Sequence, residues 1–218
     1  MSGHDDAGPV PPTRWERIGD TTATPYVENF TRLLDDGEDV DGEARLSDVL
    51  APRGARVLDA GAGIGRVAAA LARRGHDVTA VEKDAALVSL SRARFPEVPV
   101  VVADIVELSP ALLAQAGRPT AYDVVVLVGN VMVYLADDTE VRALRTLERL
   151  LAPEGRVLVG FHPEQGPEHS RDYPFALFAE HVHAAGLEVQ QVHGGYDLTP
   201  PGDDYVVAVL GRLTPSRG

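Results

Sequence analysis

The 218-residue chain contains no cysteine. Disulfides, thiolate metal sites and a cysteine nucleophile are therefore all excluded. No apolar run approaches the length of a membrane-spanning helix, and the polar opening MSGHDDAGPVPPTR does not read as a signal peptide. Cations are scarce. Twenty Lys plus Arg oppose 33 Asp plus Glu, for a net charge of −13, and Lys83 is the only lysine. Nucleic acid and anionic membranes both select for a basic face, so neither is expected as a partner. The expected location is the cytoplasm.

What is present is a globular composition: 44% apolar residues and a mean hydropathy of −0.06. That suits one domain with a full core. Residues 1–13 read as a flexible tail, punctuated by Pro9, Pro11 and Pro12. Residues 14–218 read as a single domain, with a helical cap over 14–52 and an α/β core over 53–213. In the cap, Thr24 is placed to start a helix and Pro25 suits its first position. Tyr26, Phe30, Leu33 and Leu34 recur at helical spacing, and Leu46, Val49 and Leu50 mark a second helix before Pro52.

Beyond Pro52, strands and helices alternate. RVLDA, DVTAVE, VPVVVAD, YDVVVLVGN and GRVLVGF read as strands, separated by helices RVAAALARR, AALVSLSRAR, SPALLAQAG and DDTEVRALRTLERLL, the last capped by Asp138. Pro174 to Ala185 form a further helix. LEVQQVHGG and DYVVAVLGR then follow with only a loop between them, which predicts an antiparallel pair, since parallel neighbours need a crossover. The fold class is α/β, with a mostly parallel sheet of seven strands and a C-terminal antiparallel hairpin.

The stretch VLDAGAGIGRV places Asp59, Gly61, Gly63 and Gly65 after the first strand. A P-loop needs a lysine and a hydroxyl residue that are missing here. A dinucleotide fingerprint counted from Gly61 needs a third glycine where Arg66 stands. The D-x-G-x-G-x-G pattern resembles the signature of the class I S-adenosylmethionine-dependent methyltransferases, over about residues 50–213. The resemblance implies a Rossmann-like, doubly wound fold, S-adenosyl-L-methionine as cofactor and a small-molecule acceptor. It implies that the loop Asp59, Ala60, Gly61, Gly63 and Gly65 lies along the methionine portion. Asp59 either meets the ammonium group or orders the loop.

Glu82 ends the second strand, where a carboxylate can accept from two ribose hydroxyls; a dinucleotide enzyme uses an acid in the same place. Lys83 follows it in the implied cofactor set. The resemblance places Asp104 and the Ile105 backbone at the adenine, although Asp104 reads equally as a turn cap. It places Gly129 and Asn130 beside the sulfonium. The segment carrying Trp15, Tyr26 and Phe30 is expected to fold over the cofactor, with Tyr26 in contact. The other readings are an NAD(P)-dependent oxidoreductase and a non-catalytic cofactor-binding protein.

An activated methyl donor demands orientation of the acceptor, and a base only where the attacking atom carries a proton. His162, after the fifth strand, is the expected base. Asn130 either orients the acceptor or contacts the cofactor, and Tyr134 either lines the pocket or packs. GNVMVYL departs from the N-P-P-Y pattern of amino-methylating nucleic-acid enzymes. His169, Arg171 and Tyr173 are expected in a lid. His181 and His183 should point to different helix faces, and with His193 they match no metal-ligand spacing, so no metal is expected.

Overall fold

The structure, a computed structural model, describes residues 10–213. Two short 3-10 turns, Glu16–Ile18 and Thr21–Ala23, precede α1 (Pro25–Asp35) and α2 (Gly42–Leu50). The Thr24 hydroxyl accepts from Val27 N at 3.4 Å, with Pro25 in the first turn, as the sequence leads one to expect. The core then runs β1 (Arg56–Ala60), α3 (Arg66–Arg73), β2 (Asp77–Glu82), α4 (Ala85–Arg94), β3 (Val100–Val102), α5 (Pro110–Gln115) and β4 (Tyr122–Leu127). It continues through α6 (Val131–Tyr134), α7 (Glu140–Leu150), β5 (Leu151–Phe161), α8 (Phe175–Ala184), β6 (Leu187–His193) and β7 (Val206–Arg212).

The strands form one seven-stranded sheet in the order β3-β2-β1-β4-β5-β7-β6. The first five are parallel, and β7 lies antiparallel between β5 and β6. The chain winds outward from β1 to β3, then crosses to β4 and winds the other way. That reversal leaves a crevice at the carboxyl ends of β1 and β4, where ligands of doubly wound sheets bind.

Alternation along the central strands divides the core between two faces. Val57, Val124 and Val126 pack with α2 and α3, while Leu58, Val125 and Leu127 pack with α7 and α8. Ala68, Ala69 and Ala70 have no exposed surface, and their small size lets α3 lie close on the sheet.

Several boundaries differ from expectation. Strand β3 is only three residues long at the sheet edge, and Asp104 begins a 3-10 turn, Ile105–Glu107, instead of extending it. The N-cap position of α7 is Thr139 and not Asp138. Asp138 has φ +63°, and the Thr139 hydroxyl donates to Ala136 O, so neither side chain caps the helix. Strand β5 begins at Leu151 and runs through Pro153 and Gly155. The short helix α6 was not foreseen. Residues 1–9 of the expected tail lie outside the described residues. Val10 packs on the core and Thr13 is buried, so the packed chain reaches earlier than the expected boundary. Among the described residues no helix is long and apolar enough to cross a membrane.

Candidate active site

The loop between β1 and α3 turns on three left-handed glycines, with φ of +79° at Gly61, +56° at Gly63 and +82° at Gly65. Each also admits a close neighbour. A β-carbon on Gly61 would lie 2.7 Å from a Val131 γ-methyl, one on Gly63 would lie 2.6 Å from the Tyr26 hydroxyl, and one on Gly65 would collide with the Ser91 hydroxyl. The spacing therefore lets the loop pack against α4 at Gly65, and against Val131 and Tyr26 at Gly61 and Gly63.

Glu82 ties this loop to β2. One carboxylate oxygen accepts from Gly63 N at 2.9 Å, and the other accepts from Asp84 N at 2.8 Å. Burial pushes its pKa up, against the pull of these backbone donors. Asp104 accepts from Val106 N at 3.1 Å and from Lys83 Nζ at 2.7 Å. Its capping reading is thus realised, at the wall of the cleft. Burial pulls the Lys83 ammonium down, but hydrogen bonds to Asp104 and Glu16 leave its pKa raised.

These groups face a single cleft at the carboxyl ends of the parallel strands. Tyr26, Gly61, Gly63, Glu82, Lys83, Asp104, Ile105, Gly129 and Asn130 all line it. Asp59, Ala60, Gly65 and His162 do not. Ala60 is core, and Gly65 is the N-cap residue of α3. Asp59 is 2% exposed, and its Oδ2 has no partner among the described residues. Burial pushes its carboxyl up to about 7, with the Arg66 charge opposing. His162 stands behind Asn130, with Nδ1 3.0 Å from Asn130 Oδ1, and Tyr205 meets its ring edge-on at 4.7 Å. Burial pulls the His162 pKa down and the Asp204 charge opposes it.

The roof comes from residues ahead of the sheet. Thr13 and Trp15 line the cleft. The Trp15 indole donates to Asp84 Oδ2 at 2.9 Å and packs edge-on against Tyr134 at 5.2 Å and Tyr26 at 6.1 Å. Lys83 also reaches Glu16 at 2.8 Å, and Arg14 reaches Asp137 at 2.6 Å. The segment is thus held at both edges of the opening. Tyr134 does both jobs expected of it, lining the cleft while its hydroxyl donates to Glu168 O at 2.9 Å.

Sequence reasoning missed the work of Arg66. Its guanidinium lies 4.1 Å over the Phe30 ring, donates to Val40 O at 2.8 Å and pairs with Glu43. The signal was a lone charge inside the apolar run GIGRVAAALA, since a buried charge requires a partner. The lid expectation is corrected for Tyr173 and Arg171. Tyr173 is fully buried and hydrogen-bonds His181 Nδ1 at 2.8 Å, and Arg171 pairs with the buried Glu140. From that loop Pro167 reaches the cleft.

A family described as "Methyltransferase domain" matches residues 57–155. A TehB-like SAM-dependent methyltransferase from Corynebacterium glutamicum superposes with a TM-score of 0.75 at 35% identity, covering 86% of this chain and 96% of that one. Magnesium-protoporphyrin O-methyltransferase of Rhodobacter capsulatus is 38% identical over 85 residues, 38% of this chain. Ribosomal RNA small subunit methyltransferase A of Chlorobium chlorochromatii is 31% identical over 64 residues, 29% of this chain. The chain spans only 36% and 24% of the lengths of these two curated relatives.

Proposed function

We propose that this chain, which belongs to the S-adenosylmethionine-dependent methyltransferases, transfers a methyl group to an O, N or C atom of a small-molecule acceptor. One observation carries the reading: the left-handed glycine loop opens on a cleft that also receives Glu82 and Asp104 from the next two strand ends. When bound, S-adenosylmethionine supplies a methyl group already activated on a sulfonium.

The residues present fit that cofactor. Gly61 and Gly63 line the cleft and bring no side chain to it. Asp59 is buried and does not line the cleft, which favours its ordering the loop over its meeting the ammonium group. A carboxylate offers about four acceptor positions. Glu82 spends two on backbone N–H groups and keeps capacity for ribose hydroxyls. Asp104 and the Ile105 backbone stand at the third strand end for the adenine. Where the acceptor atom carries a proton, His162 is the proposed base.

The small-molecule reading is supported by the net charge of −13 and by the aromatic wall that Trp15, Tyr26 and Tyr134 give the cleft. An oxidoreductase would need the third loop glycine where Arg66 is committed to Glu43. Calorimetry against S-adenosylmethionine, S-adenosylhomocysteine and NAD tests the cofactor. Affinity for NAD alone would overturn it. Glu82→Ala should weaken cofactor binding by about 1.5–3 kcal/mol. Incubation of labelled cofactor with a metabolite extract and, separately, with RNA tests the acceptor, and label in the RNA alone would refute the small-molecule reading.

A further inference from the structure

We propose that Asn130 is a positioning residue that locks His162 in its Nδ1–H tautomer, leaving Nε2 as an unprotonated acceptor. Asn130 follows β4 in a left-handed conformation, φ +73°, which asparagine tolerates better than most residues. Its backbone N–H donates to Gly160 O at 3.1 Å, pinning the turn to β5. Its side-chain Oδ1 lies 2.9 Å from His162 N and 3.0 Å from His162 Nδ1.

The backbone determines the rest. A main-chain N–H can only donate, so the amide atom facing it is the oxygen and not the NH2 group. The same oxygen can only accept from the ring, so Nδ1 carries the hydrogen. In a neutral imidazole the lone pair then sits on Nε2. Tyr205 holds the ring from a second side, edge-on at 4.7 Å with planes at 76°. The Tyr205 hydroxyl is 2.9 Å from that of Tyr196. Both hydroxyls pass over Gly160, where a β-carbon would collide with Tyr196. Asp204 is the charged group that acts on the ring, opposing the burial that favours its neutral form. Asn130 itself lines the cleft, so one side chain links the cleft wall to the imidazole.

The use of Nε2 as a base rests on the methyl-transfer reading, whereas the tautomer does not. Long-range ¹H–¹⁵N correlation spectra of the full-length protein report which ring nitrogen carries the proton. The expected result is Nδ1–H for His162 at neutral pH. Asn130→Gly keeps the left-handed backbone accessible and should release the ring to a mixture of tautomers. Asn130→Asp should restore Nδ1–H and raise the titration point of His162 by about one unit. Tyr205→Phe keeps the ring edge and should leave the tautomer unchanged. An Nε2–H signal in the native protein, or an unchanged tautomer in Asn130→Gly, would overturn the proposal. Nδ1–H in a protein that binds no S-adenosylmethionine would leave it standing and refute the methyl-transfer reading alone.

Discussion

Arg66 and Glu43 pair inside the protein, with side chains only 4% and 12% exposed. The pair ties α2 of the cap to the first turn of α3, the helix fed by the glycine loop. One buried ion pair therefore joins the cap to the helix that follows the glycine loop.

Removing one partner strands the other in a dry site. Glu43→Ala should cost about 3–5 kcal/mol, read from urea unfolding. Adding Arg66→Met should recover most of the loss, because a neutral, similarly long side chain needs no partner. A cost below about 1 kcal/mol for Glu43→Ala would mean that the pair does not hold the cap.

Gly61→Ala tests close approach at the loop. Its β-carbon would press on Val131 at the start of α6 and also strain a φ of +79°. A loss of about 1–3 kcal/mol is expected, together with weaker cofactor binding. Gly54→Ala provides the comparison, since φ there is +64° but the space around it is open. It should show backbone strain of about 1–2 kcal/mol without any change in cofactor affinity.

Asp59 gives the fold a pH dependence of predictable sign. Burial raises its carboxyl from 3.8 to about 7. Between those values the folded state holds a proton that the unfolded chain has released. This contribution is complete below about pH 4 and disappears as pH rises through about 7. Its size is on the order of 4 kcal/mol. Asp59→Asn should flatten that part of the stability profile, and urea unfolding at pH 5 and pH 8 checks it. Equal pH slopes in native and variant proteins would contradict the assignment.

Trp15 is the chain's only tryptophan, and it lines the cleft. Its emission should change on titration with S-adenosylhomocysteine, giving a direct binding signal. Asp137→Ala frees Arg14 and Arg17 at one edge of the roof. These partly exposed pairs contribute about 0–1 kcal/mol, so ligand release followed by Trp15 emission should quicken by no more than about fivefold. A silent Trp15 would place the roof away from the ligand.

Much of this was legible beforehand because it is local. Thr24 and Pro25 start α1 through contacts three residues apart. Three glycines with positive φ announce the loop, since other residues rarely adopt that backbone. The lack of a helix between β6 and β7 sufficed to make them antiparallel. Asp138 shows where such reasoning fails. Its composition suited a cap, but the Thr139 hydroxyl turned to Ala136 O and the chain entered α7 through a left-handed residue. The site was read unevenly for the same reason. Glu82 and Asp104 were expected near strand ends and both line the cleft, whereas the Asn130–His162 bond joins residues 32 apart.

By itself the sequence determined the alternation of strands and helices, the glycine turn and the order of the strand ends around the cleft. Those depend on backbone preference and short-range periodicity. Only the tertiary structure decided that β7 inserts between β5 and β6, that Arg66 finds Glu43, that Lys83 bridges Glu16 and Asp104, and that Asn130 turns to His162. Each joins parts of the chain that lie far apart in the sequence. A charge or polar atom taken out of water must find a partner, and folding determines which one lies within reach.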